Sequence, residues 1–311
     1  MNTTRLNNLK YIDGSILLHD SCTIEPPVMS EIVSRIKQSL YSDEPIYLIY
    51  ADIFCGSAAV EVTLNQALQQ QLHSTAIIFE TLSYGHYVSN NKELPCDLLC
   101  NLEHGLWTVG NAEALFTRLT RYLIFLSLKT HKTHIILIVK AAQNLHQDSL
   151  NVLLKLVHKL KEEHVKLFLV LVGETLELSE LISHYPFYED GINQPNSYRL
   201  TPVKSEDLFE TILKQFDVCL TGDYFPIAYK EGYRLCNDRQ ILFEAFRNAS
   251  AETAAVFTGI PYEILLDTIY ICMGLKGIDG ENKYWPSVED WVECIRYTSY
   301  QRYIQKVNLS C

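Results

Sequence analysis

The chain has 311 residues, 48% of them hydrophobic and 20% charged. That is apolar material for one large α/β domain, alone or with a smaller appendage, and it excludes disordered, collagen-like and disulfide-scaffold architectures. Its 26 basic and 37 acidic residues leave a net charge of −11. This is the wrong sign for gripping nucleic acid along an extended track, because such proteins neutralise phosphates with clustered Lys and Arg.

Residues 1–27 close on Glu25-Pro26-Pro27 without a strong period and read as an N-terminal arm. A helix is expected over Met29–Leu40, with Ile32, Ile36 and Leu40 on one stripe, followed by the short apolar run Ile46–Tyr50. Such a run, bounded by turn residues, fits a strand buried on both faces. The same grammar recurs at Thr75–Phe79, His134–Val139 and Lys166–Val172, with helical stretches at Val60–Leu72, Ala112–Leu128 and Asp148–Glu163. A fifth, shorter strand is expected at Tyr198–Thr201. Strand alternating with helix predicts a parallel five-stranded sheet with helices on both faces. After Pro202 the strand pattern stops. Ser205-Glu206-Asp207-Leu208 opens a helical part, so the expected domains are 28–202 and 203–311.

No apolar run approaches the ~20 residues that a spanning helix needs. Met1–Lys10 holds no apolar signal core, so a cytoplasmic location is expected. The nine cysteines are scattered and odd in number, which reads as reduced thiols. Cys96, Cys100 and His104 follow at helical-turn spacing, yet no second pair at metal spacing exists, and buried free cysteine is favoured over a zinc site.

Nucleotide chemistry, if present, belongs at the turn after the first long strand. A phosphate-binding loop reads Gly, four residues, Gly, Lys, Ser or Thr: the glycines let the backbone wrap the phosphate, the lysine neutralises it, and the hydroxyl holds magnesium. Overlaid here, those four positions are Ala51, Gly56, Ser57 and Ala58. One of the four survives. The free N–H groups at Ser57–Ala59 still leave room for weak, metal-free binding of an anion.

At the end of the third strand, Ile136–Val139 is followed by Lys140-Ala141-Ala142-Gln143-Asn144-Leu145. Here the chain resembles the AAA+ ATPases of the general-secretion A, ExeA, DamX and TniB type. Their second motif places Asp-Glu-Ala-Gln, a small polar residue and Leu after four aliphatics. Ala142, Gln143, Asn144 and Leu145 match; Lys140 and Ala141 replace the two acids. Further matches are Leu169–Gly173 with Leu176-Glu177-Leu178, Tyr198–Pro202 with Ser205-Glu206-Asp207, and Asn237-Asp238-Arg239-Gln240-Ile241. The likeness covers roughly residues 28–250.

The resemblance implies a P-loop NTPase (AAA+-like) fold with a helical lid. It also implies a site that has lost its chemistry. A lysine ~4 Å from a divalent ion would cost roughly 8 kcal/mol at an effective dielectric near 20. The general base and the phosphate lysine are lost as well, at Ala141 and Ser57. The expectation is a pseudo-ATPase without cofactor. Gly56, Ser57, Ala58, Lys140, Ala141 and Arg239 would form its vestigial pocket. Lys140 either rims that pocket, the favoured reading, or holds a phosphate without magnesium. Arg239 is either a retained phosphate sensor or, favoured, a lid arginine salt-bridged to Asp238 or Glu244. The stretch Ile182–Asn196, where the family carries an arginine finger, holds no Arg.

The tail lies beyond the likeness. Ser287 with Glu289 and Asp290 marks a helix start. Trp285, Trp291, Ile295, Tyr297, Tyr300 and Tyr303 either anchor a protein partner or close the helical part internally. The resemblance implies an inactive AAA+-like adaptor of a bacterial multiprotein machine, foremost a secretion apparatus such as a type IV coupling complex. Its partners would be protein subunits. The alternative is a nucleotide-dependent regulator of DNA transposition or envelope assembly.

Overall fold

The computed structural model describes residues 18–19, 22–42, 44–82, 92–174, 178, 180–182, 196–219, 221, 225–252, 257–277 and 285–309. By its internal contacts the chain forms two compact units. One comprises residues 28–52 and 60–200, the other residues 1–27, 53–59 and 201–311.

The first unit is built on five parallel strands: β3 (Ile46–Ala51), β4 (Ala76–Leu82), β5 (His134–Lys140), β6 (Lys166–Glu174) and β7 (Asn196–Leu200), ordered β4-β5-β6-β3-β7. β1 and β2 are the two-residue pair Leu18–His19 and Cys22–Thr23 in the arm, antiparallel to each other. Two residues are too few to show a period, so the sequence gives no sign of that pair. Helices α1 (Met29–Ser39), α2 (Ser57–Leu72), α4 (Ala112–Thr130) and α5 (Gln147–Glu162) lie where the apolar spacing predicts. α3 (Glu93–Asn101) is a helix that the pattern did not reveal.

Burial explains the central strands. Ile135 to Val139 and Leu167 to Val172 are all buried, which is why both read as continuous apolar runs rather than alternating ones. Ile135, Leu137 and Val139 share a core with Leu98 of α3, Leu119 of α4 and Leu153 of α5, while Ile136 and Ile138, facing the other way, are equally buried. Helices cover both faces. α5 buries Leu150, Leu153, Leu154, Val157 and Leu160, the i, i+3, i+4, i+7 stripe of an amphipathic helix.

The second unit is helical: α6 (Glu206–Cys219), α7 (Pro226–Lys230), α8 (Arg239–Ala251), α9 (Tyr262–Cys272), α10 (Val288–Arg296) and α11 (Tyr300–Leu309). An isolated bridge joins Val203 to Ile260. Its core is aromatic, with Phe246 meeting Tyr300 edge-on at 5.0 Å and Phe216 meeting Tyr270 at 5.4 Å. Asp217 accepts the Leu235 and Cys236 N–H groups at 2.7 and 3.0 Å, satisfying the start of a 3-10 turn. α10 begins with a capping box in which Ser287 Oγ accepts from the Asp290 N–H and Asp290 accepts from the Ser287 N–H, as its sequence announces.

Six cysteines, at 55, 96, 100, 236, 272 and 294, are in no disulfide. Cys219 is disulfide-bonded, which corrects the expectation of nine reduced thiols. Among the described residues no group of three His, Cys, Asp or Glu side chains is placed to hold a metal ion. No described helix is long and apolar enough to cross a membrane.

Burial pushes the Asp267 carboxyl of α9 up to about 6, and burial together with Asp217 does the same to Asp238. Both groups hold their proton more tightly folded than unfolded. Their destabilising effect is therefore absent below the ordinary aspartate range, grows as pH rises towards 6, and is complete above it. Asp267→Asn is expected to raise the unfolding free energy by on the order of 2 kcal/mol at pH 7. Urea denaturation repeated near pH 4 should show that gain gone.

Candidate functional site

The turn after β3 is the place at which the sequence puts a phosphate-binding loop. Phe54 and Gly56 both take positive φ, 62° and 107°. At Gly56 a side chain would be strained, and its Cβ would stand 3.3 Å from the Tyr262 ring. Directly beyond, α2 begins at Ser57 and presents the positive end of its dipole. The chain supplies its own anion there. Glu263 Oε1 accepts the Ala58 N–H at 3.2 Å, and the Glu263 N–H donates to the Phe54 carbonyl at 3.0 Å. Tyr262 is buried, its hydroxyl donating to the Ile24 carbonyl at 3.2 Å. These groups all belong to the second unit.

Lys140 and Ala141, two of the other expected residues, belong to the first unit. Lys140 ends β5 and Glu80 lies two residues before the end of β4. Parallel register sets Glu80 beside Ile138 and Leu82 beside Lys140, so the two charged side chains leave the same face of the sheet on a diagonal. Lys140 Nζ meets Glu80 Oε1 at 2.7 Å, with the lysine side chain only 18% exposed. Asn65 Nδ2 donates to the other Glu80 oxygen at 3.0 Å, and Asn101 Nδ2 to the Glu80 carbonyl at 3.1 Å. Ala141 sits in the left-handed region, and its N–H donates to Glu61 Oε1 at 2.8 Å. Burial raises the Glu61 carboxyl, and that N–H and Lys140 pull it back. A cavity of about 670 Å³ opens beside Lys140, Glu80, Glu61 and Asn65.

The matched residues Ala142, Gln143 and Leu145 serve structure. Ala142 and Leu145 are buried, and Gln143 Oε1 accepts the Glu174 N–H at 3.4 Å. Gly173 makes room for that amide: a Cβ there would stand 2.5 Å from Gln143 Oε1 and 3.0 Å from its backbone nitrogen.

Arg239 is paired, but not with Asp238 or Glu244. Its Nη1 meets Glu210 Oε2 at 2.7 Å, and Glu210 also takes Lys214 at 2.6 Å. Asp238 accepts instead from the Trp285 indole N–H. Glu210 lies 29 residues away, two helices earlier in α6, where sequence proximity gives no hint. The segment expected to hold an arginine finger lies, between 183 and 195, outside the described residues.

Of the six tail residues, Trp291, Ile295, Tyr300 and Tyr303 are buried within the helical core. They are internal packing and not an exposed surface, because α10 and α11 turn that stripe onto α8 and α9. Tyr300 hydrogen-bonds Ser250 at 2.8 Å and Tyr303 hydrogen-bonds Thr258 at 3.1 Å. Trp285 is half-buried against Phe225 and Tyr233, and Tyr297 is 42% exposed. Glu263, Tyr262, Glu80 and Glu61 were missed in the sequence; the partners they bind are 15 to 238 residues away.

No protein-family model matches the chain, and no curated protein matches it. Solved structures do. The Aeropyrum pernix ORC2 protein in its ADP form superposes with a TM-score of 0.61 at 11% identity, over 91% of this chain and 71% of that one. The ORC2 ADPNP–ADP complexes give 0.62 at 13% identity, over 91% and 70%. The A. pernix ORC1 protein in complex with DNA gives 0.57 at 12% identity, over 94% and 69%. The fold is that of the AAA+ ATPases. Within the AAA+ fold, a parallel sheet followed by a C-terminal helical part is the arrangement described above.

Gly173→Ala is expected to lower stability by about 1–3 kcal/mol, the usual cost of forcing an atom into filled space. A Gln143→Ala background should recover part of that loss in thermal denaturation, because the nearest atom is the Gln143 amide oxygen.

Proposed function

We propose that the protein is a non-hydrolysing AAA+-fold scaffold that acts as an adaptor within a multiprotein assembly. One observation carries the reading: the groups that would meet a nucleotide are engaged within the chain. The helix start at Ala58 holds the Glu263 carboxylate. The lysine after β5 holds Glu80, and Arg239 holds Glu210. The positions at which magnesium and the attacking water are handled in active relatives carry Lys140 and Ala141, an amine and a methyl group in place of two carboxylates. The partner class follows from the resemblance of the second motif to the general-secretion A, ExeA, DamX and TniB group, which points to subunits of a bacterial secretion apparatus.

A second reading, a nucleotide- or DNA-dependent regulator, is favoured by one finding: an ORC1 structure of the same fold contains DNA. The two readings separate in solution. The scaffold reading expects no magnesium-dependent binding of a fluorescent ATP analogue and no phosphate release above the buffer rate. It also expects duplex DNA to stay unbound at physiological salt. Turnover that disappears in Arg239→Ala, or DNA affinity that falls steeply with added salt, replaces it with the second.

A further inference from the structure

Helix α4 buries Leu115, Leu119, Leu123 and Ser127, one stripe four residues apart, and packs Phe116, Tyr122, Ile124 and Leu126 partly against the same core. Away from that stripe, Phe125 is 53% and Leu128 is 69% exposed. A helix of this composition is ordinarily covered on most sides. The segment between α3 and α4 adds Leu106, Trp107 and Val109, all exposed. Five of the eleven large exposed hydrophobic side chains among the described residues therefore belong to α4 and its leading segment. Scattered hydrophobes on a surface are ordinary, whereas a grouped set marks a contact.

The surface is held in shape. Arg118 Nη1 donates to the Leu106 and Val109 carbonyls at 2.8 and 2.6 Å, and the Tyr122 hydroxyl donates to the Leu102 carbonyl at 3.4 Å. His104 meets Tyr122 edge-on at 4.8 Å, and Tyr122 stacks on Phe125 at 6.2 Å. A cavity of about 660 Å³ lies along this ladder, with Arg118, Arg121 and Glu113 on its walls. Lys129 stands 6.0 Å from the centre of the Phe125 ring. Cations outnumber carboxylates here, against a chain carrying −11 overall. At physiological salt charges beyond about 8 Å are largely screened, so Arg121 and Lys129 set the local sign. Tyr, Trp and Arg around an apolar centre are the side chains on which protein partners anchor.

We propose that this face of α4 docks an acidic amphipathic helix of a partner protein, with the helix's apolar side on Phe125 and Leu128 and its carboxylates on Arg121 and Lys129. A second copy laid symmetrically on the same face would set those cations against themselves, so the occupant is a different chain.

The test uses the full-length protein and two labelled model helices. Both carry Leu and Phe at i, i+3, i+4 and i+7, one flanked by Glu and the other by Lys. In fluorescence anisotropy the Glu helix should bind at least about tenfold tighter than the Lys helix. Phe125→Ser with Leu128→Ser should weaken it by a similar factor. Arg121→Glu should reduce the preference for Glu over Lys. Val218→Ser, an exposed change on α6, should alter nothing, and thermal denaturation checks that each variant is folded. Equal binding of the two helices, no binding of either, or indifference to the Phe125 and Leu128 changes overturns the proposal. So does self-association in sedimentation velocity that those same changes abolish, since the occupant would then be a second copy.

Discussion

The diagonal pairing of Lys140 with Glu80 governs the character of the sheet's carboxyl edge. Parallel register puts both residues on one face near the ends of adjacent strands, and a 2.7 Å contact follows from that placement. A lysine in this position, at the end of a buried strand, has to be neutralised nearby, because an isolated charge out of water is expensive. Glu80 does so, and Asn65 and Asn101 hold Glu80 in turn. In an active nucleotide site the same strand end carries negative charge for a metal ion. Here the strand end carries a lysine held by internal partners, Glu80 and through it Asn65 and Asn101.

The other charged positions follow one pattern. Three more carboxylates of the chain meet donors of the chain: Glu263 at the start of α2, Glu61 at the Ala141 N–H, Glu210 at Arg239. Each satisfies a donor that would otherwise be left with water alone. Internal contacts of this kind hold these polar groups in place with the chain's own atoms.

Much of the fold was legible because it is written in local periodicity. The runs at Ile46, His134 and Lys166 are strands, and the stripe from Leu150 to Leu160 is a helix face. The capping box at Ser287 is equally local. The β1–β2 pair and α3 were not seen, since two residues carry no period and α3 has a proline and two cysteines within nine residues. The site was legible only as departures from a motif. Those at Ser57, Lys140 and Ala141 can be read locally, but what each position touches depends on residues far away in the chain. The tail's aromatic stripe shows the same limit from the other side. Its spacing predicts a helix with one apolar face, and only the neighbouring helices decide that Trp291 and Tyr300 point inward.

The bond between Ala58 and Glu263 spans 205 residues, and this has a consequence for how the chain matures. Synthesis proceeds from the N-terminus, and early segments begin to fold before later ones exist. All five strands of the parallel sheet are complete by Leu200, whereas the turn after β3 receives its tyrosine and its carboxylate only when Pro261 and the start of α9 have emerged. Until then the exposed helix start is an unquenched positive pole on a nascent chain, and a free anion in the surrounding solution is its natural companion.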